Sequence, residues 1–171
     1  MKNKKLEETV VGALGIALVF LATYFIKIPN GLQGYFNLGD GFILLFSSFL
    51  NPLAAFLVGG VGSAMADAAG GYGIYILPTL LIKGTEAIVV SQIMRKIKKE
   101  PMRILPYLIG SLIMLIGYFL ADSYINESWQ LGVASVFANV VQAGAGMIIA
   151  YLAFPLMKKN ITFTQRRHLK S

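Results

Sequence analysis

The stretch Tyr75-Ile-Leu-Pro-Thr-Leu-Leu-Ile-Lys83-Gly-Thr-Glu86-Ala-Ile-Val-Val-Ser-Gln-Ile-Met94 runs straight into Arg95-Lys-Ile-Lys-Lys-Glu-Pro-Met-Arg103, and an apolar run from Ile104 to Ala121 follows. About twenty apolar residues on an α-helix reach about 30 Å, the thickness of a bilayer's hydrocarbon core. Two such runs flanking five cations predict a helical hairpin whose connection stays on the cation-retaining, cytoplasmic side.

Working outward, the remaining segments read the same way. Thr9 to Ile26 is apolar and follows Lys2, Lys4 and Lys5. It is longer than a signal-peptide core and no small-x-small cleavage pattern follows, so it is expected to be a retained first helix. Lys27–Asp40 holds a proline and three glycines and reads as a loop. Gly41 to Leu50, with Asp40 as its N-cap, reaches only about 16 Å, a half-span unless the loop sinks into the membrane. Asn51-Pro52 turns the chain into Leu53–Gly71, where Gly59, Gly60, Gly62, Ser63, Ala64, Ala66, Ala68 and Ala69 offer faces for close helix contact. Trp129 to Met157 is the last span. The expected architecture is an all-α membrane protein, a bundle of six transmembrane helices at about 9–26, 40–50, 53–71, 75–94, 104–121 and 129–157, with a tail at 158–171. Six spans put thirteen of the fifteen lysines and arginines on one side, which makes both termini cytoplasmic. Five or seven spans would split that cluster.

Composition agrees. Of 171 residues, 56% are hydrophobic, and 18 glycines raise the apolar share to about two-thirds. Soluble domains lie nearer ~45–50% on that count. Charged residues make up 13% and mean hydropathy is +0.68. Such a chain has too little polar surface to face water. Six spans leave room for one integral membrane domain, 1–171, and no soluble domain. Cysteine is absent, which excludes disulfides and thiolate chemistry. The single histidine, His168, lies in the polar tail, away from any intramembrane metal or catalytic site. No phosphate-binding Gly-x-x-x-x-Gly-Lys-Ser/Thr loop and no nucleophile–base pair is present, which argues against an enzyme. The net charge of +7 reads as a topology signal and not as a nucleic-acid footprint.

Ionisable groups inside a span cost about 2.5–3.5 kcal/mol each on insertion scales, so each needs a reason. Lys83 and Glu86, three residues apart, share one face of span four. They lie about 12 and 16 Å below its outer end, and Asn139 lies about 15 Å below Trp129. Ser135, Asn139 and Gln142 form a stripe on span six. Two readings follow. One is an internal ion pair with interhelical amide bonds. The other is an outward-facing pocket for a small polar ligand, with Tyr24, Tyr72 and Tyr75 at its rim. Trp129 reads as an interfacial anchor. Asp40 and Asp67 are expected to cap helices or to bond between loops. Ala13 and Ala17, with Gly12 and Gly15 beside them, suit internal packing or the docking of another subunit.

Several of these pieces occur together in one known family. Asn37-Leu-Gly-Asp40, Asn51-Pro52, Gly59-Gly-Val-Gly-Ser-Ala-Met-Ala-Asp67 and Pro78-Thr-Leu-Leu-Ile-Lys83-Gly84-Thr-Glu86 resemble the substrate-binding S components of energy-coupling factor (ECF) vitamin transporters. The resemblance implies a multi-pass protein of the bacterial cell membrane that captures a water-soluble vitamin or precursor from outside. It implies a lid at Lys27–Asp40, and partners comprising a transmembrane coupling protein and two ATPases. ATP and Mg would be held by those ATPases, leaving no cofactor in this chain. Toppling in the membrane would release the substrate inside. Ala13 and Ala17 match the family's coupling-protein docking pattern. Span four looks most like the branch handling hydroxymethylpyrimidine, pyridoxine or riboflavin. The expected ligand contacts are Lys83, Glu86, Asn139, Gln142, Tyr24, Tyr75 and Asn37. A riboflavin-specific S component, or a stand-alone channel or facilitator, is the alternative.

Overall fold

The structure, a computed structural model, describes residues 2–29, 35–97 and 100–161. The centre of the expected lid (30–34) and the tail beyond 161, with His168, lie outside the described residues. Among the described residues the fold is all-α apart from one pair of strands. Helix α1 (Lys2–Phe25) leads into strands β1 (Lys27–Pro29) and β2 (Tyr35–Asn37), then α2 (Gly39–Ser47). Helices α3 (Pro52–Phe56) and α4 (Gly62–Gly70) are joined by a π-helical turn, Leu57–Val61, into one span. A 3₁₀ turn, Gly73–Tyr75, opens α5 (Ile76–Met94); α6 (Ile104–Ile125) and α7 (Trp129–Asn160) complete the bundle. Five of these helical segments are long and apolar enough to cross a membrane.

Helix α2 is the exception, as its short apolar run anticipates. It has nine residues, all buried except Phe42, and Ile43 and Leu44 are wholly enclosed. It therefore works as the central pillar of the core, wedged among α1, α5 and α7. The fit relies on missing side chains. A Cβ at Gly146 of α7 would stand 2.8 Å from Asp40 Cβ, nearer than packed atoms tolerate.

Contacts sort the helix ends into two groups. At one end Glu8 accepts from the backbone and side-chain N–H groups of Asn51, Phe49 stacks on Phe154, and the Arg103 guanidinium covers Phe154 at 3.8 Å. At the other end Thr23 bonds Asn37, Tyr35 bonds Asp67 and Tyr75 bonds Asp122. Residues 37–51 thus run antiparallel to residues 8–23 of α1, about 23 Å at helical rise. The short pillar and its turns cover the length that one long helix covers elsewhere.

Three expectations change on inspection. The lid segment is ordered at its base as an antiparallel hairpin pairing Lys27 with Asn37 and Pro29 with Tyr35, where an irregular loop was expected. Asp40 is not the N-cap of α2. Leu38 holds that position, and the Asn37 carboxamide oxygen accepts from Gly39 N–H at 2.9 Å, because a buried lysine claims the Asp40 carboxylate. The span after Asn51-Pro52 is not uniformly α-helical. Its π turn carries Gly59 and Gly60 against α5, where added Cβ atoms would lie 2.6 Å from Lys83 O and 2.8 Å from Leu80 O. Elsewhere local chemistry behaves as expected. Asn51 Oδ1 caps the next helix through Ala54 N–H, with Pro52 in the first turn. Gly71 ends α4 in the left-handed region (φ +82°), a conformation that glycine adopts without strain.

Candidate functional site

Beneath the hairpin lies a small polar cavity with about 30 Å³ of free space, above the roughly 10–15 Å³ needed to hold a water molecule. Its walls come from every long span and from the lid: Thr23 of α1, Tyr35 and Asn37 of β2, Ser63 and Asp67 of α4, Tyr75 of the 3₁₀ turn, Thr79 and Lys83 of α5, Tyr118 and Asp122 of α6, and Asn139 and Gln142 of α7. Helical periodicity explains the convergence. Ser63 and Asp67 are four residues apart on one face, as are Thr79 and Lys83 and also Tyr118 and Asp122.

Lys83 is the electrostatic centre. Its side chain is 2% exposed, and its ammonium forms an ion pair with Asp40 and lies 3.4 Å from Glu86 Oε2. It also stands 5.3 Å from the centre of the Tyr118 ring. A buried charge is tolerable only when paired and hydrogen-bonded, and two carboxylates meet that requirement. Gln142 extends the network to the lid. Its Nε2 donates to Asp40 Oδ2 at 2.5 Å, and its Oε1 accepts from the Asn37 N–H at 2.8 Å. A continuous polar chain therefore runs from strand β2 through Gln142 and Asp40 to Lys83 and Glu86. Gln142→Leu removes both of its hydrogen bonds and leaves buried partners unmet. It is expected to lower stability by about 1–3 kcal/mol, read as an earlier unfolding midpoint in detergent.

The lid is fastened a second time. Tyr35 donates its hydroxyl to Asp67 Oδ1 at 2.5 Å and packs its ring on Tyr72 with centres 4.5 Å apart. Burial, reinforced by the Asp67 carboxylate, pushes the Tyr35 phenol above the usual tyrosine range. It therefore stays a neutral donor throughout the physiological pH range. Lys27 closes the rim, its ammonium 4.6, 5.3 and 5.8 Å from the ring centres of Tyr24, Tyr72 and Tyr35. On the far wall Tyr75 donates to Asp122 at 2.7 Å, and Thr79 shares a 3.0 Å hydrogen bond with Tyr118.

Among the residues singled out in the sequence, Lys83, Asn139, Gln142, Tyr75 and Asn37 all line this cavity. The matched depths inferred for spans four and six thus correspond to one site. Glu86 lies one turn below it, wholly buried, and acts on the cavity through Lys83. Tyr24 is not a lining residue; it stacks on Phe20 and receives Lys27 at the rim. Ser135 turns its hydroxyl back to Gly132 O, so the expected stripe narrows to Asn139 and Gln142. Trp129 is 62% exposed and packs edge-on against Phe119. Asp67 neither caps a helix nor bonds between loops; it sits inside α4 and accepts from Tyr35 of β2. Sequence reasoning missed the part of Asp40 as the partner of Lys83, and Thr23, Tyr35, Ser63, Asp67, Thr79, Tyr118 and Asp122 as wall residues. The four-residue spacings Thr79/Lys83 and Tyr118/Asp122 carried that signal.

Comparison with known proteins now bears on this geometry. Residues 3–159 match the family described as ECF-type riboflavin transporter, S component. The chain belongs to this family. It is 35% identical over 144 residues to a protein of Pyrococcus woesei described only as an uncharacterized protein in a gap 3′ region; the match covers 84% of this chain and 96% of that one. It is 24% identical over 161 residues to the thiamine precursor transporter HmpT of Lactococcus lactis, covering 93% and 92% respectively. A UPF0397 protein of the same species is 33% identical over 69 residues, 40% of this chain. The molecule is thus a multi-pass membrane protein and the S component of a vitamin or vitamin-precursor transporter, a transport subunit by family.

Proposed function

We propose that this S component captures a small nitrogen heterocycle, hydroxymethylpyrimidine or pyridoxine, from outside, in the cavity beneath the hairpin. It then passes the ligand on after docking to a transmembrane coupling protein driven by two ATPases. The cavity carries this reading: it is lined by polar side chains, roofed by the hairpin and walled by five spans. Its free space is small, so a single six-membered ring demands far less rearrangement than a fused tricycle with a sugar-like tail. The HmpT relative points the same way. The family description favours riboflavin as the second reading.

The membrane placement follows from charge. Lys5, Arg95, Lys96, Arg103, Lys158 and Lys159 cap the end where Glu8 meets Asn51, and the hairpin and Trp129 occupy the other. With residues 37–51 counted as a crossing, six spans result and both termini are cytoplasmic. A pore is disfavoured because Leu44, Val90 and Tyr107 close the bundle below Glu86, each 0% exposed.

Asn139 is half-buried on the cavity wall, with a carboxamide that offers both a donor and an acceptor to a ring ligand. Asn139→Ala is expected to weaken binding of hydroxymethylpyrimidine to the purified protein about tenfold, the worth of one hydrogen bond. Titration calorimetry in detergent reads this directly. Saturable binding without partners, together with uptake only when the coupling protein and ATPases are co-expressed, tests the whole reading. Flux through liposomes containing this chain alone would overturn it.

A further inference from the structure

The charge around the cavity is lopsided. Lys83 is the only cation on its walls among the described residues, and Asp40 and Glu86 already engage it. Two more carboxylates, Asp67 and Asp122, face the same space; Asp67 accepts from the Tyr35 hydroxyl with Thr79 also beside it, and Asp122 accepts from Tyr75. One detail gives this excess a direction. Asp67 is 2% exposed and spends Oδ1 on the Tyr35 hydroxyl, while its Oδ2 has no hydrogen-bond partner among the described residues. Ser63, one turn before it on α4 and also 2% exposed, has a hydroxyl with no hydrogen-bond partner among the described residues. Both residues line the cavity. Two orphaned polar groups one helical turn apart on the same wall are costly unless something in the cavity meets them.

We infer that Asp67 Oδ2 and Ser63 Oγ form an acceptor subsite for an N–H-bearing group of the ligand, an exocyclic amine or a protonated ring nitrogen. This rests on the cavity being the ligand site. The ligand class that satisfies it is an amino-substituted or basic nitrogen heterocycle. A ligand offering only acceptors at that position would leave the carboxylate oxygen unmet and face it with a lone pair. Because the other Asp67 oxygen holds Tyr35, the same carboxylate contacts the ligand and the lid at once. The ligand's N–H and the lid's O–H share one anchor, which ties lid closure to recognition of the amine.

The test compares two probes on the purified full-length protein in detergent: hydroxymethylpyrimidine and its analogue with hydrogen in place of the amino group. Wild type is expected to prefer the amine at least tenfold. Asp67→Asn should erase most of that preference, since its carboxamide offers a donor or a weaker neutral acceptor. Tyr35→Phe should weaken both probes by a similar factor and keep the preference, because it loosens the lid and spares Oδ2. Ser63→Ala, a small and buried change, should reduce the preference partially and guards against misfolding of the Asp67 variant. Equal affinity of wild type for the two probes overturns the subsite while leaving the site reading intact. So does Asp67→Asn behaving like Tyr35→Phe. Failure of wild type to bind either probe overturns the substrate assignment and the subsite with it.

Discussion

Ala13→Trp and Ala17→Trp introduced together are expected to abolish uptake while leaving ligand binding by the isolated protein unchanged. Both alanines are exposed on α1, one turn apart. The adjoining faces of the same helix are committed to the fold: Val19 is 0% exposed, and Gly15 sits so close to Val58 that a Cβ there would approach its side chain to 2.9 Å. Indole rings at 13 and 17 therefore start from the exposed face of α1 and need displace no buried side chain. The cavity is untouched, since Thr23 is its only lining residue on α1. What the rings do alter is the surface beside a cleft bounded by Gly12, Ala13, Ile16, Ala54 and Leu57. Small residues let a partner helix approach to backbone distance, and two indoles hold it several ångströms off. Uptake measured with the coupling protein and ATPases co-expressed, beside calorimetry on the purified variant, separates the two effects. If binding falls in step with uptake, these alanines pack within the protein and the docking assignment is wrong.

What could be read from the sequence depended on how local the signal was. The long spans were legible because hydropathy over about twenty residues is a one-dimensional property, and the bilayer sets the scale. Lys83 stood out for the same reason, since a cation in an apolar run has few neighbours in sequence to explain it. Its principal partner did not, because Asp40 lies 43 residues away and resembles an ordinary N-cap after Asn37-Leu-Gly. A side chain three residues from Lys83 could be paired by helical geometry, whereas one across the bundle required the fold. The hairpin was hidden by composition, as proline and glycines in Lys27–Asp40 argue for a turn and say little about the strands on either side. Tyr118 and Asp122 were obscured differently. An aromatic in an apolar span and an acid at its end each have a commonplace explanation, and only their convergence on one cavity gives them another.

Lys83→Met is expected to be the most damaging single change in the molecule, with binding reduced more than about 100-fold and stability lowered by about 3–5 kcal/mol, the usual loss on orphaning a buried charge. The wild-type cluster sets one cation between Asp40 and Glu86, all three at most 2% exposed. Removing the cation leaves two carboxylates close together in a low-dielectric core, with repulsion added to the loss of solvation. The carboxylate variants should not mirror it. Asp40→Asn leaves Lys83 paired with Glu86, and its amide oxygen can still receive the Gln142 Nε2 donor. Glu86→Gln leaves Lys83 on Asp40 and removes an oxygen, Oε1, that has no partner among the described residues. Each is therefore expected to cost clearly less than Lys83→Met. The double variant Lys83→Met/Asp40→Asn should recover part of the stability lost in the single, because one of the two stranded charges is gone. Unfolding in detergent measures all four, and calorimetry shows whether binding returns with the fold. A double variant that regains stability but not affinity makes Lys83 a ligand contact as well as a strut. Equal losses in Lys83→Met and Asp40→Asn would show that the ammonium is not shared, and that Glu86 contributes nothing to holding it.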